Sequence, residues 1–459
     1  MIYFDVSILE SLLDNNEVSI IIFALGGLIM TLKEFKHDML RGLGTCFIEM
    51  NNSTEIDKYK PIVLFGCLNV LSYEHQMEGT RSGYIYDLTQ YFHDDPYFEN
   101  AIIDKFNKNP RGTTRIITLI ERLAQFAMNG SQRSKNTLYA KYDKLIHKKN
   151  ISSDDGIILD YLCVNLLDVS GYRFFKYHVN IMEQFNTNID DTQLGWFYFK
   201  VQQKYKNKGI ELLKTIHPEY GNNSKSTYKQ KDNSFKDILN HLTDADFYLR
   251  RIAFSYRADE SEIRKAIDFL IDDTDLNRKQ RLFSLLRNDI IDYRIDDVIE
   301  MIGKYSPEID MQIYKYCSNL VKSPVSKKIG YSILDKPFLR SFGLQMIIRN
   351  YESADLDTVV EYTKKVKVDY EDSEEWYSLF SRLLVLMDSK SKNHPVSLLK
   401  YIFFETLSSY HREQAFDIMK KRRLLAKQFI EIACFDSDWN IVEKANKELS
   451  KTIFPINRV

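Results

Sequence analysis

Apolar residues along this chain recur at the three-to-four-residue spacing of helices, in short runs closed by polar breaks. Ile116, Ile117, Leu119, Ile120, Leu123, Ala124 and Ala127 predict one amphipathic helix, with Thr113 or Thr114 as its cap and Asn129-Gly130 as its stop. Ser152-Ser153-Asp154-Asp155 predicts another helix start, ahead of Ile157, Leu159, Leu162, Val164 and Leu167. Gly171 separates that helix from an aromatic one bearing Tyr172, Phe174, Phe175, Tyr177, Ile181 and Phe185, and Trp196 to Phe199 opens a further one. Earlier, Ile62, Val63, Phe65, Gly66, Leu68 and Leu71 predict a closely packed helix, and Tyr84, Tyr86, Leu88 and Phe92 the next. Pro96 suits the first turn of its successor, where a missing N–H costs nothing.

In the second half the rhythm shortens. Helix starts are expected near Asp244, Ser261, Asp272, Asp296, Pro307, Lys336, Asp355, Ser373, Pro395, His411 and Asp436. Pairs of such helices repeat at the period expected of helical solenoids, roughly 30 to 40 residues. The polar stretch 221–234 reads as a flexible loop between an N-terminal helical-repeat half, 30–220, and a C-terminal half, 235–459. Residues 1–29 read as an extension outside the native protein. Gly26-Gly27-Leu28-Ile29-Met30 fits a ribosome-binding sequence, a short spacer and a start codon, so translation is expected to begin at Met30, where the amphipathic segment Thr31–Leu40 follows.

Three segments share a phrase: Asp244-x-Asp246 with Arg250 and Ala253, Asp436-x-Asp438 with Val442 and Ala445, and Asp272-Asp273 with Arg278 and Arg281. Arg340-Ser-Phe-Gly343 and Arg412-Glu-Gln-Ala415 are fainter echoes. The Asp can cap a helix and complement its dipole, the Arg can reach a neighbouring carboxylate, and Ala or Gly lets helices approach closely. In that combination the segments resemble the inter-helix turn and second helix of HEAT-like repeats. The resemblance implies an all-α chain, an irregular α-solenoid of stacked antiparallel helical hairpins.

Composition narrows the class. Nine prolines and 17 glycines in 459 residues fall below the usual frequencies of roughly 5% and 7%, too few for a turn-rich sheet protein. A formal charge of -1, from 63 basic and 64 acidic side chains, removes the simple argument for nucleic-acid binding. Cys46, Cys67, Cys163, Cys317 and Cys434 are odd in number and widely spaced, as buried thiols in a reducing compartment are. The longest apolar run, Val18 to Leu32, is too short to span a membrane, and acidic residues precede it where a secretory signal carries positive charge. A cytoplasmic protein is expected. The richness in Ile, Lys, Asn, Tyr and Phe suits a low-GC bacterium or its phage.

Candidate chemistry is sparse. His37-Asp38 and His93-Asp94 match the doublet with which helical metal-dependent phosphohydrolases hold a divalent ion, with His75 and Asp143 or Asp160 as the remaining ligands. Solvated helix ends explain such dipeptides more simply. Glu78, Arg81 and Tyr84, in a polar stretch between apolar helices, are candidate partner contacts, since Arg and Tyr carry much interface energy. Lys420, Lys421, Arg422 and Arg423 are the densest basic run, a candidate anion contact or simply a basic helix end. HEAT-like folds also include alkylpurine DNA glycosylases, for which Trp196, Trp376, Trp439 and Asp154 would be candidate residues. No P-loop, dinucleotide fingerprint, nucleophile elbow or zinc-protease helix occurs, so no catalytic, cofactor-binding or metal residue is assigned. The expected function is a non-enzymatic protein-binding scaffold, adaptor or regulatory subunit. The alternatives are a HEAT-like DNA-binding protein or glycosylase and, more remotely, a phosphohydrolase. A protein partner is preferred to nucleic acid, and the oligomeric state is open.

Overall fold

The computed structural model describes residues 30–73, 79–93, 96–185, 194–216, 234–240, 242, 254, 258–286, 292–320, 322–369, 373–389 and 393–453. Among them the chain is all-helical, with 23 α-helices and no strand. It divides into two compact units: residues 1–225, 407–410 and 424–459 form the first, and 226–406 with 411–423 the second. The first break lies inside the polar stretch 221–234. The carboxy-terminal half does not stay together, because its last helices join the first unit.

Among the described residues the first unit holds ten helices before its break: α1 (Leu32–Arg41), α2 (Thr45–Asn52), α3 (Lys60–Leu68), α4 (Ser82–Thr89), α5 (Tyr97–Asn107), α6 (Thr113–Met128), α7 (Gln132–Ile146), α8 (Ser153–Ser170), α9 (Tyr172–Phe185) and α10 (Gly195–Ile216). Each helix packs on its neighbour but one. Thus α6 touches α4, α5, α7 and α8, and α8 touches α6, α7, α9 and α10. The odd row continues from α1 through α3, α5 and α7 to α9, the last step made by rings, with Tyr139 and Tyr142 edge-on to Phe174. Apolar side chains between the two rows form one core, including Leu119, Leu123, Leu159, Leu162 and Leu166.

Local chemistry fixes these ends. Thr31 caps α1 and Ser152 caps α8, each in a reciprocal capping box, with Glu34 and Asp155 respectively. Neither Thr113 nor Thr114 caps α6. Gly112 occupies that position at φ 96° and offers no side chain. Gly130 and Gly171 also hold positive φ, where a side chain is strained, and they turn the chain after α6 and α8.

The second unit contains α11 (Phe235–Asn240), α12 (Glu260–Asp272), α13 (Leu276–Leu285), α14 (Ile295–Ile299), α15 (Pro307–Cys317), α16 (Pro324–Ile333), α17 (Arg340–Arg349), α18 (Leu356–Thr363), α19 (Ser373–Asp388), α20 (Leu398–Glu405) and most of α21 (Ser409–Lys421). Here α13, α15, α17 and α19 pack in succession. His411 of α21 extends the row, its ring 4.3 Å from that of Tyr377 on α19. Helices α16 and α17 cross at glycines: a Cβ on Gly330 would lie 2.7 Å from the Gly343 carbonyl oxygen, and the converse distance is also 2.7 Å.

Helices α22 (Lys427–Ala433) and α23 (Trp439–Ile453) belong to the first unit, where the end of α22 and the turn after it meet the junction of α1 and α2. The Ser437 N–H donates to the Gly42 carbonyl at 2.8 Å, and Phe435 stacks on Phe47. A Cβ on Gly44 would lie 2.0 Å from the Ile432 carbonyl oxygen, so only glycine fits there.

The Asp phrase acts as a turn device, and one of its registers shifts. Asp436 accepts from the Asp438 N–H at 2.9 Å and Asp438 from the Asn440 N–H at 2.8 Å, while Ala445 is buried nine residues on. The matching pair is Asp273 with Asp275, one residue later than Asp272-Asp273. Asp273 accepts from the Asp275 N–H at 3.0 Å, and Asp275 caps α13. Lys279 and Leu282 therefore take the sixth and ninth places, not Arg278 and Arg281. Lys279 is buried, and its ammonium donates to the Leu270 and Ile271 carbonyls at the end of α12. The cation in this slot closes a preceding helix instead of seeking a neighbour's carboxylate. The copy from Asp244 to Ala253 lies outside the described residues, as do 1–29.

Candidate partner-binding groove

The expected contact at Glu78, Arg81 and Tyr84 resolves differently for each residue. Glu78 lies outside the described residues. Arg81 is buried in a left-handed conformation, φ 56°, and its guanidinium donates to the Leu40, Leu71 and Leu407 carbonyls at 2.5, 3.2 and 2.7 Å. Tyr84 is buried too and donates its hydroxyl to the Leu43 carbonyl at 2.8 Å. Both side chains tie segments of the first unit together, and neither faces outward. Local sequence gave no sign of this, because the accepting carbonyls belong to distant stretches.

The basic run closes α21. Lys421 pairs with Asp388 at 2.6 Å, and Arg422 donates to the Met387 and Ser389 carbonyls at 2.7 and 2.5 Å. Arg423 takes a left-handed turn at φ 59°, and Lys420 is exposed. This geometry is that of a basic helix end, with Lys421 and Arg422 engaged at the end of α19.

His37 Nδ1 lies 2.9 Å from Asp38, which also accepts from Thr45 at 2.5 Å. His75 and Asp94 lie outside the described residues. Asp143 accepts from the Tyr177 hydroxyl at 2.8 Å. Asp160 accepts from the Trp196 and Phe197 N–H groups at the start of α10, and burial pushes its carboxyl up to about 6 against the pull of those bonds. Among the described residues no three His, Cys, Asp or Glu side chains converge as a metal-ligand set. The glycosylase candidates do not meet either: Trp376 is buried in the second unit, whereas Trp196, Trp439 and Asp154 are exposed in the first. The cysteines other than Cys434 are buried, and burial raises all five thiols above their ordinary value.

A different feature gathers charge. In the first unit a groove of about 1070 Å³ runs between the end of α5, the starts of α6 and α8, and one face of α7. Five cations line it, Arg111, Arg133, Lys141, Lys144 and Lys148, against the carboxylates Asp154 and Asp155. Asp155 is already paired with Lys148 at 2.5 Å and accepts from the Ser152 hydroxyl at 2.7 Å. Arg133 donates to Asn100, and Lys141 to Asn109 at 2.8 Å. Among the described residues, Arg111 and Lys144 have no ion-pair or hydrogen-bond partner for their side chains. Burial, then the Lys144 charge and that of Lys148, hold the Lys141 ammonium below its ordinary value, with Asp155 pulling the other way. The floor is apolar, from Phe106, Ile116, Leu145 and Ile158.

The groove was legible in principle. Arg133, Lys141 and Lys144 follow at intervals of eight and three, which places them within about 80° of one another around the axis of α7, and Lys148 follows just past its end. A search for contiguous basic runs passes over such a stripe. No protein-family model, curated protein or solved structure matches the chain. No described helix is long and apolar enough to cross a membrane.

Proposed function

We propose that this chain is a non-enzymatic protein-binding scaffold, adaptor or regulatory subunit, built within each unit as a HEAT-like stack of helical hairpins. The stack is supported by the packing order, in which helices touch their neighbours and next neighbours in two rows. The binding role rests on one observation, the charged groove along α7, a concave surface open to a partner. Its cations also give the DNA-binding alternative a footing, since phosphate contacts need Lys and Arg. A protein partner remains preferred because the chain as a whole is near neutral, with 63 basic against 64 acidic side chains.

An electrophoretic shift with a random-sequence duplex separates the two. At physiological ionic strength the purified protein is expected to leave the duplex unshifted. A sub-micromolar, salt-sensitive shift would favour the DNA-binding alternative.

A further inference from the structure

On the reading that the chain binds proteins, we propose that the groove between α5, α6, α7 and α8 docks an acidic peptide segment that also carries apolar side chains. Charge sets the first half of that specificity. Once Lys148 is matched with Asp155, four cations face only Asp154, and Arg111 and Lys144 meet no acceptor among the described residues. An incoming carboxylate meets that unmatched charge in a partly enclosed site, where screening by salt is weaker than on an open surface. The walls set the second half: Pro110, Ala140 and the methylene stems of Lys141 and Lys144 offer apolar area that a purely ionic ligand would leave wet.

The same features argue against other polyanions. Single-stranded nucleic acid gains much of its affinity by stacking bases on accessible rings, and Phe106, the one ring lining the groove, is buried. A volume of about 1070 Å³ also sits at the upper end of small-molecule pockets, which suits a chain segment better than a single metabolite. Asn107, Asn109 and Asn136 at the rim can pair with the peptide groups of an extended segment.

The test is a displayed library of random 12-residue peptides panned on the full chain and on Arg111→Glu/Lys144→Glu. Those two side chains make no contact that folding needs, and an unchanged helical circular-dichroism spectrum and melting curve would verify that. Selected peptides are expected to combine Asp or Glu with Leu, Ile or Phe. They should bind the double variant at least tenfold more weakly, weaken as salt rises, and bind Lys33→Glu, a charge change on α1, like the parent. A 12-residue oligothymidylate, titrated by fluorescence anisotropy, supplies the nucleic-acid arm. Tighter binding of the oligothymidylate than of any selected peptide, with the same dependence on Arg111 and Lys144, overturns the proposal and the protein-binding reading together. Selected peptides indifferent to the double variant overturn the groove assignment alone and leave protein binding to another surface. Absence of any groove-dependent peptide likewise overturns the assignment.

Discussion

Arg81 and His411 show how a polar side chain is held in a helical interior. Arg81 satisfies three main-chain carbonyls from segments far apart in sequence. Removing it leaves buried acceptors without a donor, which is costlier than losing a surface contact. Arg81→Ala is therefore expected to lower the unfolding free energy by about 3 kcal/mol or more, read by urea denaturation. A variant of parental stability would return Arg81 to the role of a partner contact. His411 is enclosed by Trp376, Tyr377 and Phe380, with Ser381 at 2.8 Å from its Nε2. Burial lowers its imidazole to about 3, so the folded protein keeps it neutral where the unfolded chain takes a proton. The resulting stability is fully present above about pH 6.5 and is lost as pH falls towards 3. Across that window the wild type is expected to lose up to about 1.4 kcal/mol per pH unit more than His411→Gln. Parallel stability–pH profiles for the two would contradict the assignment.

At the scale of the helix, turn chemistry and close crossings matter most. The Asp-x-Asp device repeats at Asp273-Asp275 and Asp436-Asp438 with the same hydrogen bonds, and in the first copy Lys279 closes the preceding helix. The crossing of α16 and α17 depends on Gly330 and Gly343, where backbone meets backbone. Gly343→Ala is expected to cost about 1–3 kcal/mol by forcing these helices apart, visible as a melting point several degrees lower. An unchanged or higher melting point would mean that the helices yield freely. Much of this was legible in the sequence. Ser152, Gly171, Pro307 and Ser373 mark helix ends where expected. Helix α16 was missed although Ser323-Pro324 announces it, as was the short α22, which lacks a side-chain cap. The one-residue shift at Asp273 was hidden because Asp272, Asp273 and Asp275 all carry the same carboxylate, and only backbone geometry chooses among them.

At the scale of the molecule, helix period and the scarcity of Pro and Gly were enough to foresee an all-α chain. The return of the last helices to the first unit was not. Helices α22 and α23 belong with α1 and α2 because Gly42 and Gly44 admit Ser437 and Ile432 at backbone distance. Such fits between ends of a chain leave no local trace in sequence. The groove was missed for a related reason, since Arg111 and the α7 stripe join only after α5 to α8 have stacked. The central claim, that a protein is the ligand of this surface, is tested most directly by site-specific photocross-linking. Benzoylphenylalanine placed at Ala140, an exposed residue of the groove, would be irradiated in cells that express the protein. A discrete protein adduct is expected, with a cross-linked peptide rich in Asp or Glu, and it should disappear in Arg111→Glu/Lys144→Glu. Adducts to nucleic acid, or protein adducts that persist in that variant, would contradict it.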